Sequence, residues 1–153
     1  MVLAILSDTH NLLRPQVLEA LSGVDVILHG GDCSKQAVLD TLKAYAPLHV
    51  VRGNNDKEWA VDLPHDLTVT LGGKTFYMVH KKAEIPKDLP GVDVVIYGHS
   101  HKYAMDEKDG ILYLNPGSCG PRRFNQDITM AKMEIKDGEI TVEKILIPHE
   151  SKS

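Results

Sequence analysis

Apolar residues fall along the chain in short runs of strand or helix length. The first covers residues 2–6, a strand ended by Ser7 and Asp8. Residues 14–21 then place Val17, Leu18 and Leu21 on one face at helical spacing, with Pro15 in the first turn and Gly23 just past the end. A second strand is expected over residues 24–28, running into His29, Gly30, Gly31 and Asp32. Residues 34–45 form a second helix with Ser34 as its N-cap and an apolar stripe of Val38, Leu39, Leu42 and Tyr45. Residues 48–51 are a third strand, followed by Arg52, Gly53, Asn54, Asn55 and Asp56. Strands separated by helices at this rhythm imply a parallel sheet.

The rest of the chain is richer in strands. Residues 67–71 and 75–79 flank Gly72-Gly73, a two-glycine hairpin signal. Residues 92–97 are mostly apolar and of strand length, as a strand covered on both faces would be. Residues 111–114, 129–135 and 139–147 read as further strands, the last two joined by Lys136, Asp137 and Gly138. The expectation is α/β at the front and a mixed or antiparallel sheet behind it.

Composition narrows the class. At 153 residues the chain fits a single domain, residues 1–153, long enough for one sizeable core. Hydrophobic residues make up 42% and charged residues 25%, which excludes a disordered chain. There are 17 Lys and Arg against 21 Asp and Glu, so the formal net charge is −4 and the basic footprint of a general nucleic-acid binder is missing. The leading apolar run is too short for a signal peptide or a membrane span. With only Cys33 and Cys119 present, reduced thiols and a cytoplasmic location are expected, with no membrane partner.

The chemistry lies in where Asp, His and Asn occur. Asp8 and His10 follow the first strand, Asp32 the second and Asn54 the third. His80 ends the second arm of the hairpin, and His99 and His101 follow the run ending at Tyr97. Each lies just beyond the carboxyl end of a strand, the edge where open α/β sheets bind ligands. Oxygen and imidazole donors together suit first-row ions such as Mn, Fe, Co, Ni or Zn. Seven donors exceed one tetrahedral site and suit two ions about 3.5–4 Å apart, bridged by a carboxylate. Gly30, Gly31, Gly53 and Gly98 would let the main chain come close to such a cluster.

These residues resemble the calcineurin-like metallophosphoesterases. The pattern runs in order as Asp8-x-His10, Gly31-Asp32, Gly53-Asn54-x-Asp56, His80 and Gly98-His99-Ser100-His101. Asn115-Pro116-Gly117-Ser118 is similar to the ending of the small bacterial and archaeal phosphodiesterases of that superfamily. The resemblance implies a four-layer α-β-β-α sandwich of two packed mixed sheets flanked by helices. It implies one metal on Asp8, His10 and His101, a second on Asn54, His80 and His99, and Asp32 bridging. Asp32, Asn54 and His99 would then carry the reaction, hydrolysis of a small phosphodiester by direct in-line attack of a metal-bridging hydroxide. Manganese and nickel are the ions tried first. The alternatives are a phosphomonoesterase or nuclease, or a protein-interaction scaffold on the same fold, similar to the small subunit of the eukaryotic retromer coat. A homodimer is open.

Two positions depart from the family pattern. Asn55 stands where many members have a His that helps protonate the leaving oxygen, which favours activated or diester substrates. Lys81 stands where Gly commonly follows the metal-binding His, and it either leans toward a substrate phosphate or points into solvent. Asn55, Arg122 and Arg123 are candidate substrate contacts, the arginines through phosphate oxygens. Asp56 reads as a helix cap or a partner of the ligands, and His29, His49, His65 and His149 as bystanders. Cys33 and Cys119 read as small buried residues, and Trp59 and Tyr103 as packing at the domain edge.

Overall fold

Period-two alternation sorts the strand residues onto opposite faces, and two sheets result. The computed structural model describes residues 1–54, 56–122 and 126–148. In chain order the elements are β1 (Val2–Leu6), α1 (Pro15–Ala20), β2 (Val26–His29), α2 (Gln36–Lys43), β3 (Leu48–Val50), β4 (Asp66–Leu71), β5 (Lys74–Val79), β6 (Val94–Ile96), β7 (Ala104–Lys108), β8 (Ile111–Asn115), β9 (Ile128–Lys136) and β10 (Glu139–Ile147). The first sheet has the order β10-β9-β1-β2-β3 and the second β4-β5-β6-β8-β7. Both are mixed. β1, β2 and β3 run parallel, as do β5, β6 and β8, with antiparallel strands completing each sheet.

Leu3 and Ile5 of β1 point between the sheets, where they meet Phe76, Met78, Val94, Ile96 and Leu114. Ala4 and Leu6 point the other way, onto Val17, Leu21, Val38, Leu39 and Leu42 of the helical layer. Burying each large side chain in this way is worth roughly 1.5–3 kcal/mol. On the far face of the second sheet, Tyr77, Val79, Val95 and Tyr97 are covered by Ile85, Leu89 and Val92. A 3-10 turn at Lys82–Glu84 and the loop after it therefore provide much of the outer layer there. Among the described residues no helix is long and apolar enough to cross a membrane.

Gly72 and Gly73 both take positive φ (58° and 82°), as a two-residue turn between twisted strands demands. The second helix differs from expectation. It starts at Gln36 with Lys35 at the N-cap and no side-chain cap, because Ser34 sits at φ 73° and gives its N–H to Asp56 instead. Tyr45 lies past the helix end and is exposed, so the buried stripe stops at Leu42. β7 was not expected: its sequence is largely charged and exposed, which an edge strand tolerates.

Candidate metal centre

Six parallel strands end at one edge, three from each sheet, and the loops leaving them converge. From the first sheet come Asp8 and His10 after β1, Asp32 after β2 and Asn54 after β3. The second sheet supplies His80 after β5 and His99 and His101 after β6. Asp8, His10 and His101 bring one donor atom each within 4.8 Å of one another, and so do Asp32, His80 and His99. His80 links the groups, with Nε2 3.2 Å from Asp32 Oδ2 and 3.8 Å from Asp8 Oδ1. Asn54 joins the second group through Oδ1, 3.1 Å from His99 Nδ1. All seven expected ligands therefore meet in one place.

The backbone is bent to achieve this. Asp8, His10, Asp32, His99 and His101 all have φ between 50° and 77°, a region that non-glycine residues avoid. Each such residue costs about 1–3 kcal/mol and persists only where its surroundings hold it. Here they do. The Asp8 N–H donates to Gly31 O at 2.9 Å, and the His10 N–H to Asp32 O at 2.8 Å. Asp8 Oδ2 accepts from Ser7 Oγ at 2.7 Å and from the His99 N–H at 3.0 Å, tying the two sheets together at the site. At Gly98 a Cβ would strike Ser7 Oγ and Asp8 Oδ2, and at Gly53 it would strike Asp32, so both positions must be glycine for the acids to sit where they do.

Four further residues, Asp56, His29, Asn115 and Ser118, hold the donor loops in place. The Asp56 carboxylate accepts four main-chain N–H groups: Asp32 and Gly53 on Oδ2 (3.0 and 2.8 Å), Cys33 and Ser34 on Oδ1 (2.8 and 2.9 Å). It clamps the loop after β2 onto the loop after β3. His29, expected to be a bystander, is fully buried beneath the site. The Gly31 N–H donates to its Nδ1 at 3.0 Å, so the neutral ring carries its proton on Nε2 and donates to Thr9 Oγ1 at 2.9 Å. Burial pushes His29 down to about 3, with the neighbouring His80 adding to the effect. Asn115, at the end of β8, donates from Nδ2 to Gly98 O and Ser100 Oγ (3.3 and 3.0 Å) and buttresses the loop holding His99 and His101. Ser118 Oγ donates to Asp8 O at 2.9 Å. Such contacts join residues far apart in sequence and leave no local pattern.

The donor set fits divalent metal. Asp8 is fully buried, and its Oδ1 has no hydrogen-bond partner among the described residues. Burial raises its pKa to about 6 against the pull of His80. His80 gives its Nδ1–H to Gly30 O at 2.7 Å, which orients Nε2 toward both acids with its lone pair available. Burial opposes charging of this ring, yet Asp32 and Asp8 together outweigh it and raise the pKa. His99 is exposed, and desolvation of its ring, His80 and Lys81 lower its pKa, leaving a neutral imidazole near pH 7.

Two clefts open beside the donors. One, of about 370 Å³, is lined by Arg52, Asn54, Lys57, His80, Lys81 and Glu84, among others. The other, of about 380 Å³, lies along His101, Lys102, Tyr103, Gln126, Asp127 and Lys144. Arg122 is exposed and donates from Nε to Gln126 O at 3.2 Å. Asn55, Arg123 and His149 lie outside the described residues. His65 is on the rim of the first cleft, 3.4 Å from Glu84, and His49 is half-buried in β3. Cys33 and Cys119 are buried free thiols. Trp59 packs on the helical layer and Tyr103 against the inter-sheet core, with Lys144 Nζ 5.0 Å from the Tyr103 ring centre.

Two mixed sheets with donor-bearing loops at a common edge define a metallophosphoesterase fold. Residues 1–138 match the calcineurin-like phosphoesterase superfamily domain, and the chain belongs to that family. It is 28% identical to a probable metallophosphoesterase of Methanothermobacter thermautotrophicus, over 91% of this chain and 88% of the relative. It is 30% identical to a phosphodiesterase of Methanocaldococcus jannaschii, over 78% of this chain and 84% of the relative. Among solved structures, zinc-complexed Vps29 of Entamoeba histolytica superposes with a TM-score of 0.73 at 26% identity, covering 95% of this chain and 99% of that one.

Proposed function

We propose that this chain hydrolyses phosphodiesters with two divalent cations held at the edge described above. Asp8, His10 and His101 would hold one ion and Asn54, His80 and His99 the other, with Asp32 shared. The single observation carrying this reading is the paired donor arrangement, in which His80 faces both acids and leaves a buried carboxylate oxygen of Asp8 without a hydrogen bond. When bound, such a pair supplies Lewis acidity toward a phosphoryl oxygen and brings the pKa of water near neutrality. The likeness to a phosphodiesterase of M. jannaschii supports the diester preference.

The chain's own residues do the positioning. The Asp56 clamp and the His29 bridge hold Asp32 and the Asp8–His10 loop before substrate arrives, so little reorganisation is left for the reaction. His99 and Asn54 stand at the open side, where a phosphate group would enter. Ser7, the serine nearest the acids, spends its hydroxyl on Asp8 Oδ2 and is fully buried, so it offers no nucleophile. With Asn at position 55, that point in the loop has no imidazole to protonate a leaving oxygen, which favours esters with good leaving groups.

The test is metal analysis of the purified protein together with hydrolysis of bis(p-nitrophenyl) phosphate and p-nitrophenyl phosphate. Activity on the diester should disappear with chelator, return with manganese or nickel, and exceed that on the monoester. Vps29 shares the fold and fits the alternative of a protein-interaction scaffold. A scaffold would predict equal performance from wild type and Asp32→Ala, and diester hydrolysis by that variant at the wild-type rate would remove the catalytic reading.

A further inference from the structure

The cleft beside Asn54 and His80 has a charge pattern that the metal donors do not use. Its walls carry three cations, Arg52, Lys57 and Lys81. Two are committed to the protein. Arg52 donates to the carbonyls of Asp56 and Lys57 at 3.0 and 3.5 Å, and Lys57 Nζ to the carbonyl of Asn54 at 3.4 Å. Lys81 is different. It follows His80 directly and is half-buried in the cleft wall, and its ammonium makes no hydrogen bond or ion pair among the described residues. The acid beside it in the cleft, Glu84, faces His65 at 3.4 Å on the rim. Asp56 is buried and saturated by main-chain donors.

We infer that Lys81 forms an anion subsite adjoining the donor cluster, selecting diesters that carry a phosphate monoester on the arm beyond the scissile phosphorus. This rests on the proposed hydrolysis. An ammonium on a cleft wall meets a bound phosphate beside low-dielectric protein, where the attraction is stronger than in open water. At about 370 Å³ the cleft is within the range of small-molecule sites, roughly 300–1,000 Å³. A local cation also offsets the repulsion that a chain of net charge −4 presents to a substrate with two phosphates. Lysine, a flexible point charge, suits a group whose position varies with the length of the ester arm.

The experiment compares two esters on the manganese-loaded protein: thymidine 5′-(p-nitrophenyl phosphate) with and without a 3′-phosphate. In wild type the 3′-phosphate should raise kcat/KM about tenfold, chiefly through a lower KM, the scale of one charge-assisted hydrogen bond. The advantage should vanish in Lys81→Gln, return in part in Lys81→Arg, and shrink as salt is added. No preference in wild type, or a preference that survives Lys81→Gln, overturns the subsite. If wild type hydrolyses neither ester, the proposed function fails, and calorimetric titration with thymidine 3′,5′-bisphosphate and thymidine 5′-monophosphate then decides the subsite. Tighter binding of the bisphosphate by wild type, lost in Lys81→Gln, supports it; equal binding overturns it.

Discussion

The two sheets contribute unlike halves to the site. The first brings both carboxylates, Asp8 and Asp32, which are buried and locked by main-chain hydrogen bonds and by the Asp56 clamp. From the second come three imidazoles, His80, His99 and His101, of which His99 is open to solvent. Negative charge is thus placed deep, and two neutral donors, Asn54 from the first half and His99 from the second, are left exposed. Left-handed backbone is common to both halves, at Asp8, His10 and Asp32 in the first and at His99 and His101 in the second.

The sharpest way to break this contrast is to remove one member of each half. Asp32→Ala should abolish retention of at least one ion and lower diester hydrolysis by about a thousandfold, several kcal/mol of charge stabilisation, with an unchanged circular dichroism spectrum. His99→Ala should cost less, about a hundredfold, and keep the ion on Asp8, His10 and His101. Equal losses would mean that the two halves are not distinct.

Next in size is the clamp. Asp56→Ala strands four main-chain N–H groups and should destabilise the fold by about 3 kcal/mol, lowering Tm by about 6–12 °C in thermal melts. Loss of rigidity should weaken metal binding in the same variant.

A pH series sharpens the electrostatic half of the comparison. The Asp8 carboxyl, at about 6 without metal, holds its proton below that value. A cation must displace this proton and the one that Asp32 and Asp8 favour on His80, so manganese affinity measured by calorimetry should rise with pH from 5 to 7. A flat profile between pH 5 and 7 would show that Asp8 and His80 are not ligands. The smallest effect concerns the thiols. Burial pushes Cys119 up to about 12 and Cys33 well above the ordinary thiol range, so both should resist iodoacetamide at pH 7 until the protein unfolds.

The donors were legible in the sequence because each follows an apolar run of strand length, as at Leu6 before Asp8 or Ile96 before His99. The β4–β5 hairpin and the β9–β10 pair were legible from the turn residues between their strands, Gly72-Gly73 and Asp137-Gly138. β7 was hidden because Ala104–Lys108 is an edge strand whose charged side chains carry no buried face. Ser34 misled because a serine before a helical run usually caps it, whereas here Asp56, more than twenty residues away, captures its N–H. Likewise, the work of His29 depends on Thr9, twenty residues away in sequence, which only folding brings to its ring. Contacts of that range have no signature in a single sequence.

If these loops cage two cations, anomalous diffraction from crystals soaked in manganese will show two peaks, one among Asp8, His10 and His101 and one among Asn54, His80 and His99, with Asp32 touching both. A single peak, or peaks away from Asp32, would contradict that arrangement.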